Sequence, residues 1–141
     1  MAVRIVIDAN VLVSALRSKN GASYRLLSLV DSGKFQTCLS VPLVLEYESA
    51  GKKLVGKGGL STNAVDEIID YLCKVSERHL IYFLWRPTLK DPKDDMVLEL
   101  AVTANADAIV TFNQADFRGA DKFGIRVITP QQLLKEIGDR K

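Results

Sequence analysis

At 141 residues, with 48% hydrophobic content and a net charge of +2, the chain is the size of one ordinary domain, with enough apolar residues to build a core without staples. So mild a charge permits a nucleic-acid partner without demanding one, since dedicated binders carry a pronounced basic face. Cys38 and Cys73 are the two cysteines. They have no CxxC spacing and sit among apolar residues, which argues for reduced thiols and a cytoplasmic protein rather than a disulfide framework.

The first predicted element is a strand over 3–8. Val3, Ile5, Val6 and Ile7 suit a strand buried on both faces, and Asp8 closes the run in IVIDANVLVSA. A carboxylate in that position needs hydrogen bonds, a counter-charge or a metal. Asp8 and Arg4 interrupt the apolar run too early for a secretory leader, and no segment reaches the roughly 20 apolar residues of a membrane span.

Helical patterns follow over 12–16 and 24–30, then a short strand over 36–39. Ser40 and Pro42 predict a helix start, running toward Ala50 through LVLEYES, where Glu46 is a charge among large apolar side chains. The stretch GKKLVGKGG predicts a break over 51–59. It satisfies GxxxxGK, but Gly58 stands where a phosphate loop needs Ser or Thr, and the segment follows a helix instead of a strand. It therefore reads as a basic loop. Thr62 and Asn63 are cap candidates for a helix to about Ser76, with Asp66 and Glu67 placed in its first turn.

HLIYFLWR, 79–86, reads as a strand whose Tyr82, Phe83 and Trp85 suit packing better than base stacking. The single histidine, His79, reads as a helix-end or surface residue. In KDPKDDMVLELA, Asp91 and Pro92 make a cap and first-turn pair and Asp94 falls where acids favour the helix dipole, which leaves Asp95, four residues before Glu99, without an ordinary role. Strands over 108–112 and 125–128 and a helix over 130–137 complete the chain, with Phe112 and Phe117 expected around the floor of a site. Alternating strands and helices predict an α/β fold: a three-layer sandwich with a central, mostly parallel sheet flanked by helices, in a single domain over 1–141.

Ligands of such sheets gather at the carboxyl ends of the strands. Asp8 and Asn10 follow the first strand, and Asn113 and Asp116 follow AIVTF. For one aspartate alone a helix cap is the better reading, and Asn10 reads as that cap. Several acids converging on one rim instead call for a cation, and oxygen donors suit Mg²⁺ or Mn²⁺ better than Zn²⁺.

The ordered set IVIDANVLVSA, SVPLVLEYE, DPKDDMVLELA and ADAIVTFNQADF, with the terminal RVITPQQLL, resembles the PIN-domain family of metal-dependent ribonucleases over nearly the whole chain. The resemblance implies that Asp8, Glu46, Asp95 and Asp116 are catalytic and bind Mg²⁺ or Mn²⁺, with Asn10, Ser14 and Asn113 in support. Asn113 departs from the family, whose members often carry aspartate there; an amide adds no charge toward a second ion. Lys52, Lys53, Lys57, Lys93 and Arg118 are the candidate phosphate contacts. The resemblance further implies an RNA substrate, an antitoxin protein as partner, a homodimer or higher homo-oligomer, and no membrane. A module that grips RNA or protein without cutting is the alternative. A phosphoacceptor receiver ranks below both, because DAN offers one acid where paired acids are expected.

Overall fold

The computed structural model describes residues 3–56, 60–80 and 92–139. Five strands, β1 (Val3–Ile7), β2 (Phe35–Leu39), β3 (Glu77–Arg78), β4 (Ala108–Val110) and β5 (Arg126–Ile128), form one sheet in the order β3-β2-β1-β4-β5. Every pairing is parallel, with Ile5 opposite both Thr37 and Ala108. Parallel strands need long crossovers: α1 (Ala9–Arg17) and α2 (Ala22–Leu27) lie between β1 and β2, α3 (Val41–Lys52) and α4 (Thr62–Val75) between β2 and β3, α5 (Pro92–Thr103) between β3 and β4, and two 3₁₀ turns, Gln114–Phe117 and Ala120–Phe123, between β4 and β5, while α6 (Pro130–Glu136) follows the last strand. Helices flank the sheet, as the alternating pattern predicts.

The core follows from the central strands. Ile5, Val6, Ala108, Ile109 and Val110 have no solvent exposure, and Leu98, Leu100 and Ala101 of α5 close over them. Each fully buried large aliphatic side chain contributes about 1.5–3 kcal/mol, so these neighbouring strands fix the register of the whole sheet. Local chemistry sets the helix ends. Ser40 accepts from the Leu43 amide at the start of α3, and Thr129 and Gln132 form a reciprocal capping box on α6.

Several local expectations shift. α3 runs on to Lys52, because Gly51 is not a breaker but a close-packing point: a Cβ there would lie 2.8 Å from Val65 Cγ1 of α4. Ser61, not Thr62 or Asn63, caps α4, so Asp66 and Glu67 fall beyond its first turn. Phe112 lies past the end of β4 and is exposed, whereas Phe117 is buried as expected. His79 follows a strand instead of ending a helix. Of the expected strand over 79–86, residues 79 and 80 lie beyond the end of β3, and the rest, with Tyr82, Phe83 and Trp85, lies outside the described residues, as do the Asp91 cap, Lys57 and Gly58.

Candidate metal centre at the β1–β4 switch point

The chain leaves β1 toward β2 on one side, and returns from β3 to β4 on the other. Between β1 and β4 the connections diverge, and such a switch point leaves a crevice beyond the carboxyl ends of the strands. Asp8 is the first residue past β1, and its amide donates to the Val110 carbonyl at 2.9 Å. One carboxylate oxygen, Oδ1, accepts from the Ala9 amide at 2.8 Å. The other, Oδ2, accepts from the Thr111 hydroxyl, also at 2.8 Å.

Asp8 is thus the N-cap of α1 as well as the centre of the site, and Asn10 is not the cap. Asn10 reaches across the switch point instead. Its Nδ2 donates to Thr111 Oγ1 at 3.1 Å, and its Oδ1 accepts from the Phe112 amide at 3.4 Å. The Asn113 amide also donates to Thr111 Oγ1, at 3.0 Å. Thr111, fully buried, is therefore the hub of the crevice. Sequence reasoning passed over it because threonine suits a strand; the available signal was a hydroxyl at the end of an apolar run on the same rim as Asp8. Beneath it, the buried Tyr47 hydroxyl donates to the carbonyl of Ile7, securing the backbone just ahead of Asp8.

Electrostatics gathers two further acids around Asp8. Burial pushes the Asp8 pKa above the ordinary aspartate value, the bonds from Thr111 and Ala9 oppose that rise, and the charges of Glu46 and Asp116 add to it. Glu46, on α3, is half-buried; Asp116 is exposed on a 3₁₀ turn, Gln114–Phe117, that folds back through its amide to the Asn113 carbonyl at 3.0 Å. Asp95 is half-buried in the first turn of α5. That turn lies against α3, because Lys93 Nζ is 3.7 Å from Glu46 Oε2. Oxygen donors around a half-buried carboxylate suit a hard divalent cation, whose charge would offset the repulsion that Glu46 and Asp116 add to the burial-driven rise of the Asp8 pKa. Among the described residues, however, no three of Asp8, Glu46, Asp95 and Asp116 bring carboxylate oxygens within 4.8 Å of one another.

A cavity of about 540 Å³ runs between α1 and α3 from this crevice, lined by Asn10, Ser14, Arg17 and Glu46 among others. Residues 10, 14 and 17 share one helix face by their spacing, so the helical period could have pointed to Arg17, a cation missed in the sequence. The other basic candidates are dispersed. Lys52 lies 3.8 Å from Glu48 and 3.9 Å from Asp66, which ties α3 to α4. Lys53 is exposed in the turn after α3, and Arg118 lines a separate cavity of about 630 Å³ beside β5.

The sequence profile of the PIN domain matches residues 4–115, a span that holds Asp8, Glu46, Asp95 and Thr111. The chain belongs to the PIN domain family. PIN domains are generally nucleases and typically use divalent metal ions. Among solved structures, this PIN domain is similar to a chain in the crystal structure of VapBC2 from Rickettsia felis bound to a DNA fragment from their promoter. The two share 15% sequence identity over 88% of this chain and 98% of the other, with a TM-score of 0.59, a likeness of fold. No curated protein matches the PIN domain described here.

Proposed function

We propose that this PIN domain, a single domain over 1–141, is a metal-dependent endoribonuclease and the toxin member of a toxin-antitoxin pair. One observation carries the reading: a half-buried Asp8 carboxylate, fixed by Thr111 and Ala9, that feels the charges of Glu46 and Asp116 at the sheet's switch point. Asp8, Glu46, Asp95 and Asp116 are the proposed ligands of Mg²⁺ or Mn²⁺, with Asn10, Ser14 and Asn113 in support. When bound, the ion supplies charge neutralisation for a phosphodiester and an acidified water.

The protein's own residues do the remaining work. Thr111 and the Ala9 amide hold both Asp8 oxygens in place, so the carboxylate need not reorganise when the substrate arrives. Arg17 and Lys93 offer cations at the mouth of the groove, where an RNA backbone would lie. An apolar groove of about 840 Å³ between α1, α2 and α4, lined by Leu16, Tyr24, Leu27 and Ile68 among others, supports a protein partner such as an antitoxin. A cytoplasmic homodimer completes the reading; among the described residues no helix is long and apolar enough to cross a membrane.

The test is incubation of the purified protein with structured RNA in Mn²⁺ or Mg²⁺, beside Asp8→Asn and a chelator control. Loss of a ligand should slow cleavage by at least about 100-fold. Cleavage that persists in the variant or in chelator rejects the proposal. The alternative, a module that binds without cutting, is favoured by the neutral Asn113 and by the Lys93 cation beside Glu46. Metal-dependent RNA retention with no product after long incubation would select it.

A further inference from the structure

A second cluster of donors lies at the edge of the sheet, away from Asp8 and made of different chemistry. In the parallel pairing of β2 with β3, Cys38 is directly opposite Glu77, so both side chains leave the same face of the sheet. His79 comes two residues after Glu77 and returns to that face, and its amide donates to the Leu39 carbonyl at 2.8 Å, which extends the ladder past Arg78. Cys38 Sγ, a Glu77 carboxylate oxygen and a His79 ring nitrogen all lie within 4.8 Å of one another.

We propose that Cys38, Glu77 and His79 form a zinc site that clamps the short edge strand β3 onto β2. Thiolate, imidazole and carboxylate are the donor types that zinc takes, in contrast to the all-oxygen set around Asp8. Donors of a tetrahedral zinc stand roughly 3.3–3.8 Å apart, and His79 Nε2 is already 3.1 Å from Glu77 Oε1. Glu77 and His79 are the partly exposed members and can turn onto the buried sulfur by side-chain rotation.

The surrounding bonds suit that role. Arg4 takes the other carboxylate oxygen of Glu77, Oε2, at 2.6 Å, and is itself anchored by two bonds to the Ala104 carbonyl, at 3.1 Å from Nε and 2.6 Å from Nη2. This holds Glu77 Oε1 toward His79, the orienting task that outer hydrogen bonds perform at metal centres. Binding forms the zinc–sulfur bond and releases the Cys38 thiol proton to solvent. Thiolate and carboxylate together offset the incoming dication, while the Asp107 carboxylate, which accepts from the Arg4 amide at 2.8 Å, stands beside the Arg4 charge. The fourth position is open to water.

The experiment uses the full-length protein, stripped of metal and titrated with Co²⁺ as a spectroscopic probe, then with Zn²⁺ against a chromophoric chelator. One equivalent of Co²⁺ should give a near-ultraviolet thiolate charge-transfer band and the intense visible bands of tetrahedral cobalt. Cys38→Ser should abolish the thiolate band, and, because Cys38 is buried, the independent His79→Ala should weaken zinc binding at least tenfold. Cys73→Ser and Asp8→Asn should leave both unchanged, which separates this site from the proposed nuclease centre. Absence of the band in the wild-type protein, unchanged zinc affinity in His79→Ala, or loss of the band in Cys73→Ser would each overturn the proposal.

Discussion

The hydroxyl of Thr111 has one hydrogen and gives it to Asp8, while accepting from the Asn10 amide and the Asn113 backbone. Thr111→Val keeps the shape and removes all three bonds, so it should cost about 1–3 kcal/mol of stability for the groups left without partners. It also removes a bond that lowers the Asp8 pKa, so the acid limb of the RNA-cleavage profile should move to higher pH; Thr111→Ser should hold the wild-type profile. The same shift has a sign for stability. An aspartate whose folded pKa is raised favours the fold fully below the ordinary aspartate range, and loses that contribution as pH rises through the folded value. The gain in Tm from Mn²⁺ should therefore grow between pH 4 and pH 7, as followed by thermal melts with and without the ion. At this scale the sequence was legible wherever a charge interrupted an apolar run, which is how Asp8 and Glu46 stood out. Thr111 did not, because a β-branched residue in AIVTF is what a strand requires. Nor did Cys38, Glu77 and His79, which converge only through the pairing of β2 with a two-residue strand too short to carry a period.

Gly51 shows how an element's limits depend on its neighbours. Its lack of a side chain lets α3 approach Val65 of α4, and an added Cβ would stand 2.8 Å from Val65 Cγ1. Gly51→Ala gains about 1 kcal/mol of helix propensity and loses about 1–3 kcal/mol to overpacking, so the variant should be less stable in urea unfolding. Combined with Val65→Ala, the loss should be smaller than the sum of the two single losses, because the smaller residue removes the clash. A glycine-rich run reads as a break from the sequence alone, since propensity is local and the helix across the interface is not. The same limit explains the α4 cap: Ser61, Thr62 and Asn63 are all competent, and backbone geometry selects the first. Elements with a strong apolar period, α1 and α4 among them, were legible because burial and local preference agree there.

Across the molecule, charged pairs fasten the last helix and the residues after it to β5 and to α2. Arg25 of α2 binds Asp139 at 2.8 Å, and Arg126 of β5 forms a two-pronged pair with Glu136 of α6, both bonds at 2.7 Å. The Arg126 guanidinium holds the Glu136 carboxyl below its ordinary value, so this contribution is present above the ordinary glutamate range and lost as pH falls through the folded pKa. Both partners are more than one third exposed, and solvent screening keeps the pair within about 1 kcal/mol. Glu136→Gln should therefore lower Tm slightly at pH 7, with the difference from wild type closing below pH 4. The parallel α/β architecture was legible because helices and strands alternate; the strand order was not, because it depends on which side of β1 the chain returns to. That return also sets a clock. The bond from Thr111 to Asp8 joins residues 103 positions apart, so Asp8 is made before its anchor and waits for it until the chain has passed β4. A prematurely terminated chain would carry the aspartate without the hydroxyl that aims it. Until residue 111 has been made the carboxylate is present but unaimed, so the order in which the chain is built also orders when the site is complete.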